Sequence, residues 1–285
     1  MNKTIGICTM EAFDNRPTNT VGSSRIRMRW LLPFWEEAEE YRMGQKYEAM
    51  IYQKVYWDKM MNAFEGVQIL DLCDPDWLEG KPVFEYVDKA DIITTSTSAL
   101  ADYIKKMRPG KVAVCVPDRI YLPEHKPRTQ KFVGPIKSAV WFGYGHNVHY
   151  LTKTFDALIK HNISLTVISN EPFTPPVAFR NLRVTNVPYT YPGVHEEIIK
   201  HDILLMPPAS DDLKGSFKSN NKSLTGMALG VPVVSTEDEL EAMMTAEARQ
   251  AKADKDLQEI KDKWDVKYSV DEYRALIKEA IERKK

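Results

Sequence analysis

The chain has 285 residues, is 43% hydrophobic and 28% charged, and carries a formal net charge of −1. That length suffices for two domains of ordinary size or one large one, and the composition is that of a soluble globular protein. The near-neutral charge argues against a partner held mainly by its field, such as duplex DNA, and leaves room only for a local basic patch. Apolar runs then alternate with helical patterns. Residues 4–9 are expected as a strand, 24–41 as a helix, 49–55 as a strand, 56–64 as a helix and 67–72 as a strand. A helix at 82–89, a strand at 92–95, a helix at 98–107 and a strand at 112–116 follow. Strands separated by helices imply a mostly parallel sheet covered on both faces.

Residues 117–135 break this rhythm with Pro117, Pro123, Pro127 and Pro135 among charged residues. Such a composition continues neither a helix nor a central strand, and it is the expected interdomain connection. The rhythm restarts with strands at 138–142, 165–169, 182–187 and 203–206 and helices at 148–160 and 194–201. The tail from 236 to 285 is helical and highly charged. Its last stretch spaces Val270, Tyr273, Leu276, Ile277 and Ile281 helically, so it needs a surface to pack on, and it is expected to bridge back to the first domain. The expected partition is an N-terminal domain 1–130, a C-terminal domain 131–268 and a closing helix 269–285, with a ligand cleft between two α/β domains. Cys8, Cys73 and Cys115 are odd in number, far apart, and lie in or beside apolar runs, as reduced core residues would. With no apolar run of membrane-spanning length and no charged start followed by an apolar segment, a cytoplasmic location is expected.

The most informative stretch follows the apolar run 203–207. Residues 218–222 read Lys-Ser-Asn-Asn-Lys, a polar, amide-rich loop, and lead into a short apolar helix that stops at Gly230 before a buried strand at 231–235. In an open α/β sheet, ligands settle at the carboxyl ends of strands, where helix N-termini turn unpaired N–H groups and a partial positive charge outward. Such a loop is built as an anion site. Lys218 and Lys222 reinforce its field, and Asn220 and Asn221 either cap the helix or donate to ligand oxygens. The plainer alternative has Asn as a cap and both lysines solvated.

Other motifs occur in order along most of the chain. They are Gly22-Ser23-Ser24-Arg25, the segment 91–100, Val116-Pro117-Asp118-Arg119-Ile120, Trp141-Phe142-Gly143-Tyr144-Gly145, the segment 201–207, and Gly226-Met227-Ala228-Leu229-Gly230-Val231-Pro232-Val233-Val234. The series resembles that of GT-B glycosyltransferases, particularly the retaining family 4, or group 1, type that includes many bacterial and viral sugar transferases. The last motif is the most specific. The resemblance implies two Rossmann-like domains with a cleft, and transfer of a sugar from a nucleotide-sugar donor to an acceptor. It also implies no cofactor beyond the donor itself. Two departures stand out. Phe217 and Thr225 occupy the positions where retaining members usually carry two glutamates, and Asp71-Leu72-Cys73-Asp74 stands where many carry a histidine.

In such a transfer the leaving group is a nucleoside diphosphate, and donors preorganised at its oxygens favour the transition state over the ground state. Lys222 and Lys218 are the first candidates for the diphosphate, with Ser219, Asn220 and Asn221 beside them. Arg25 and the loop Gly22-Ser23-Ser24 would approach from the other domain. Gly143, Gly145, His146 and Asn147 are expected to line the cleft. Asp118 and Arg119 either line it too or form a structural ion pair. Glu171, after the strand at 165–169, is a further residue that could face the nucleotide, and 11–21 is read as a mobile acceptor-side segment.

No metal is expected. Asp74-Pro75-Asp76 spells Asp-x-Asp, but Asp and Pro are ordinary turn residues and Asp76 suits the cap of a helix beginning at Trp77. His146 and His149 lack a third ligand in the sequence around them. Trp30, Trp35, Trp57 and Trp77 lie among apolar residues and read as core rather than sugar platforms. No nucleophile can be named, although Asp71, Asp74 and Asp211 offer carboxylates. Two alternatives stand beside the transferase. One is a catalytically silent nucleotide or nucleotide-sugar binding protein, motivated by the missing glutamates. The other is a viral enzyme acting on modified DNA bases, for which Arg25, Arg27 and Arg29 supply only a small basic patch. A sugar-nucleotide epimerase of similar architecture is a weaker third.

Overall fold

A computed structural model describes residues 3–17, 20–209 and 213–284. The chain forms two compact units, one of Met1–Arg119, Asp212–Ser219 and Asp265–Lys285, the other of Ile120–Asp211 and Asn220–Trp264. Among the described residues, no helix is long and apolar enough to cross a membrane.

The first unit is built on six parallel strands: β1 (Ile5–Thr9), β2 (Ala38–Glu40), β3 (Ala49–Gln53), β4 (Val67–Leu72), β5 (Ile92–Thr95) and β6 (Val112–Cys115). Their order is β2-β1-β3-β4-β5-β6. Helix α1 (Met10–Phe13) follows β1 and is capped by the Thr9 hydroxyl. The expected helix over 24–41 is broken into pieces: one turn, α2 (Gly22–Ser24), a π-helix Arg25–Arg29, a 3-10 turn Leu32–Phe34, and then β2. Pro33 cannot continue a helix. The Glu37 carbonyl accepts from the Thr4 and Ile5 N–H groups, and Lys3 donates to the carbonyls of Glu36 and Ala38, so this acidic stretch is drawn onto the sheet edge.

Helices α3 (Asp58–Ala63), α4 (Val83–Lys89) and α5 (Ser98–Met107) cover one face of this sheet. Their Met61, Val83, Val87, Ala101 and Ile104 pack with Met50, Tyr52, Leu70, Leu72 and Ile93. Those strand residues recur at every second position, the spacing of one face of a pleated strand. Trp30 and Trp35 are buried, and Trp57 packs on Phe13 and Tyr41, so these tryptophans are core. The three cysteines are free thiols, and burial pushes Cys8 up to about 12.

The second unit holds β7 (Ser138–Gly143), β8 (Ser164–Ser169), β9 (Val184–Pro188), β10 (Ile203–Leu205) and β11 (Val233–Val234), all parallel, in the order β11-β10-β7-β8-β9. Both faces are buried. Ala139, Trp141, Leu165, Val167, Ile203 and Leu205 pack with Phe155 and Leu158 of α6 (Phe155–Lys160). Val140, Phe142, Ile168 and Leu204 pack with Val194 and Ile198 of α7 (Gly193–Ile198). A strand buried on both faces reads as a continuous apolar run, which is why these strands stand out in the sequence. The helix expected at 148–160 is a 3-10 helix, Gly145–Thr154, before it becomes α6, and hydroxyls of Thr152 and Thr154 bond back to carbonyls three residues earlier. Helices α8 (Asn221–Ala228), α9 (Glu237–Ala242) and α10 (Ala246–Lys263) complete the unit.

From Ile120 onward the proline-rich stretch belongs to this second unit. Ile120 is fully buried with Leu224, Ala228 and Ile260, and its N–H donates to the Trp264 carbonyl at 2.8 Å. Arg128 donates to the His201 carbonyl at 2.8 Å and lies 4.0 Å over the Phe132 ring. The chain passes between the two units at 119/120, 211/212, 219/220 and 264/265.

Two later segments complete the first unit. Helix α11 (Lys267–Lys284) brings Tyr273 onto Trp35, with ring centroids 5.5 Å apart, and its hydroxyl donates to Asp71 at 2.8 Å. Asp71 also takes the buried Arg27 guanidinium at 2.6 and 3.1 Å, and Arg27 reaches Asp118 at 3.0 Å and the Val116 carbonyl at 2.5 Å. Burial lowers the Arg27 pKa, but the Asp71 carboxylate more than reverses this by charge and hydrogen bond, with Asp118 adding to it, and the pKa is held well above its ordinary value. Arg119 pairs with Glu272 of α11 at 2.6 Å. The other segment, around the 3-10 turn Gly215–Phe217, sets the Phe217 ring edge-on to Trp77 and Tyr103, which stack with centroids 4.8 Å apart. Thr97 donates to the Phe217 carbonyl at 3.3 Å, Lys214 pairs with Glu79 at 2.5 Å, and the Ser219 hydroxyl donates to Asp118 at 2.6 Å.

Removing the Asp71 carboxylate strands a buried charge, so Asp71→Ala is expected to cost about 3–5 kcal/mol in urea unfolding, against about 1 kcal/mol for Tyr273→Phe. Equal losses would contradict the central place of Asp71. In Phe217→Ala, amide exchange should quicken across residues 213–219 while β3 to β5 keep their protection, and unchanged exchange in that segment would show that the ring does not anchor it.

Candidate functional site

In the second sheet the chain runs from β7 outward to β8 and β9, then returns to the other side of β7 for β10 and β11. The connections thus leave β7 and β10 in opposite directions, and the crevice outside their carboxyl ends is where open α/β sheets hold ligands. Three loops reach this edge: 143–147 after β7, 170–171 after β8, and the entry to α8.

Helix α8 is aimed there by its packing. Its Leu224 and Ala228 are buried with Ile120 and Ile260. A Cβ on Gly226 would come within 2.5 Å of Leu204 and 2.9 Å of Val233, so glycine lets the helix lie close against β10 and β11. The helix ends at Gly230, φ +67, with Gly230 N–H on the Met227 carbonyl at 3.1 Å and Val231 N–H on the Gly226 carbonyl at 3.0 Å, a Schellman stop. Asn220 holds the N-cap position without a side-chain cap bond. Asn221 presents a shielded Nδ2 that makes no hydrogen bond, and its carbonyl accepts from the Thr225 hydroxyl at 3.0 Å.

Lys222, in the first turn of α8, has its ammonium 5.3 Å from the Trp141 ring and 5.7 Å from that of Phe142, close enough for cation–π attraction. A Cβ on Gly143 would stand 2.5 Å from this Nζ and 2.9 Å from the Trp141 ring. The lysine could swing aside, but the buried indole has little room, so glycine is what admits the ammonium to the end of β7. Gly145 N–H donates to Asn170 Oδ1 at 2.9 Å, and a Cβ on Gly145 would meet Glu171 at 3.0 Å. Tyr144 and His146 are exposed, with rings near parallel and centroids 5.7 Å apart. Asn147 N–H donates to the Tyr144 carbonyl, and His149 Nδ1 lies 2.8 Å from the His146 carbonyl.

The structure therefore gathers Gly143, Gly145, His146, Asn147, Asn220, Asn221 and Lys222 in the second unit. Arg25, Gly22, Ser23, Ser24, Asp118, Arg119, Lys218 and Ser219 belong to the first. Ser24 is committed there: its hydroxyl donates to Gln53 Oε1 at 3.0 Å and accepts the Glu11 N–H at 3.3 Å. Asp118 is held between Arg27 and Ser219, and Arg119 by Glu272 and Ser269, which favours their structural reading. Burial raises the Asp118 carboxyl against the lowering pull of Arg27. The segment 11–21 opens as helix α1, and its Glu11 is fully buried, accepting the Val21 N–H at 2.7 Å; Thr18 and Asn19 lie outside the described residues, as does Asp211.

Asp76 does not cap a helix at Trp77. It stands inside the turn Asp76–Glu79, accepting from the Tyr56 hydroxyl at 2.9 Å and pairing with Lys54 at 3.0 Å and Lys81 at 3.2 Å. Asp74 pairs with the same Lys54 at 2.7 Å. Lys54 itself sits at φ +53 at the end of β3, a feature with no sequence signal beyond a polar pair closing an apolar run. Asn170, which fixes the Gly145 turn, was likewise not singled out by any motif. Phe217 and Thr225, neither of which carries a carboxylate, are both buried.

Comparison by sequence finds no matching family model and no matching curated protein. Comparison by structure finds matches of low identity. TarM aligns with a TM-score of 0.64 at 10% identity, over 87% of this chain and 57% of its own, so this chain spans little more than half of TarM's length. Anabaena Alr3699/HepE, solved in complex with UDP and glucose, aligns with a TM-score of 0.62 at 8% identity, over 98% of this chain and 100% of its own. A trehalose-6-phosphate synthase studied for glycosyl transfer with retention aligns with a TM-score of 0.52 at 10% identity, over 81% of this chain and 73% of its own. With two Rossmann-like units, each on a parallel sheet, the chain has the GT-B fold of glycosyltransferases.

Proposed function

We propose that the protein is a glycosyltransferase that moves a sugar from a nucleotide-sugar donor to an acceptor, without a metal and with retention of configuration. The observation that carries this reading is the Lys222 ammonium lodged against Gly143 at the carboxyl end of β7, beside the N-terminus of α8. A diphosphate in that crevice meets a full positive charge and the outward N–H groups of the helix's first turn. As the glycosidic bond breaks, negative charge grows on the leaving phosphate, and both groups then bind more strongly than in the ground state. The UDP and glucose held by HepE, and the retention named for the trehalose-6-phosphate synthase, support the donor class and the stereochemistry. Free cysteines suit a reducing compartment, and the cytoplasm is the proposed place of action.

Buried Phe217 and Thr225 favour a second reading, a protein that binds a nucleotide sugar without turnover. Turnover separates the two. With chelator present, the purified protein is expected to hydrolyse or transfer from at least one of the UDP-, GDP- or ADP-sugars, with the anomeric configuration kept in the product by NMR; tight binding with no turnover across a broad acceptor panel would favour the silent reading. Lys222→Ala should weaken nucleoside diphosphate binding about 10- to 100-fold by calorimetry, the worth of a charge-assisted hydrogen bond. A wild-type protein that binds none of these nucleotides would sink both readings.

A further inference from the structure

The turn Gly143-Tyr144-Gly145 is approached at its two glycines by charges of opposite sign. Lys222 Nζ stands 2.5 Å from the Cβ position of Gly143, and Glu171 Oε2 stands 3.0 Å from that of Gly145. Tyr144 between them is extended, φ −70 and ψ 138. Cation and carboxylate thus come up against the two ends of one three-residue turn.

We propose that Glu171 accepts the ribose hydroxyls of the nucleoside diphosphate whose phosphates lie at Lys222. This rests on the donor-site reading above. Glu171 follows the end of β8, the strand beside β7, and so stands on the same carboxyl edge as the Gly143 turn. In dinucleotide-binding sheets of this strand order, an acidic residue past the second strand reaches the ribose 2′-hydroxyl, and Glu171 stands at the corresponding place. Its position is fixed by neighbours rather than by chance of rotamer. Asn170 accepts the Gly145 N–H at 2.9 Å and donates to Glu171 Oε1 at 3.3 Å, while the Ser169 hydroxyl donates to the Glu171 carbonyl. The side chain nevertheless remains exposed.

The polarity of the pair sets the orientation of the ligand. An ionised carboxylate only accepts hydrogen bonds, so it suits two hydroxyl donors and repels phosphate. Phosphates therefore take the Lys222 end and the ribose takes the Glu171 end. The class of ligand follows: a ribonucleotide is preferred over its 2′-deoxy form.

The test is calorimetric titration of UDP, GDP, ADP and CDP, and of their 2′-deoxy counterparts, into wild-type, Glu171→Ala and Lys222→Ala protein. The wild type is expected to prefer the ribose form by about 10- to 100-fold. Glu171→Ala should bind both forms alike, near the wild-type affinity for the deoxy form. Lys222→Ala should weaken both forms together and keep the preference. If wild-type protein binds nucleotides without a ribose preference, or Glu171→Ala keeps that preference whole, the ribose assignment falls and the diphosphate site stands. If the wild type binds none of the eight, the donor site falls with it.

Discussion

A guanidinium taken out of water must find partners for its charge and its donors, and much of the first unit is arranged around that demand at Arg27. The π-helix Arg25–Arg29 delivers it inward, β4 offers Asp71, the exit from β6 offers the Val116 carbonyl and Asp118, and α11 offers Tyr273. None of these groups is well placed alone. Asp71 without Arg27 would be a buried carboxylate, and Tyr273 is held as a neutral donor by burial and by Asp71, which raise its pKa. The cluster thus ties together pieces of chain far apart in sequence, and Asp118 extends it to Ser219.

The second unit meets a different demand. Its sheet is packed by apolar side chains on both faces, so polar groups gather at the carboxyl edge, where backbone rather than bulk decides what fits. Glycines at 143 and 145 let a lysine from the first turn of α8 and an acid from the loop after β8 come up against a single turn. Gly226 and Gly230 do related work beneath them, by close approach and by positive φ respectively, and so decide where α8 begins and ends. The chemical groups are few and ordinary; their convergence is set by where side chains are missing.

The sequence made the strands legible where both faces are buried, because Ala49 to Tyr52 and Ala139 to Phe142 are unbroken apolar runs. It concealed β2, an acidic edge strand with only Ala38 buried, since pairing through backbone leaves no hydrophobic trace. The helix stop at Gly230 and the polar entry at Lys222 follow local rules and were readable. Long-range partnerships were not. Ser219 and Asp118 were each singled out, yet nothing in their spacing signals the hydrogen bond that joins them, nor that Lys222 meets Gly143. The helix expected over 24–41 is instead a π-helix around the buried Arg25 and Arg27, a tertiary feature that local propensity does not register, and it stops by Pro33, a local signal the expectation passed over.

Residues 212–219 belong to the first unit although the chain on either side of them belongs to the second. Neither unit is therefore a continuous length of polypeptide. A fragment cut at 120 and 264 would carry Phe217 away from Trp77 and Tyr103, and one ending at 119 would leave Asp71 without Tyr273. Recombination with a related chain at a single crossover in the proline-rich stretch would separate each of these side chains from its partner. The two units of this protein are consequently bound to be inherited together, and any exchange of one must carry its distant segments along.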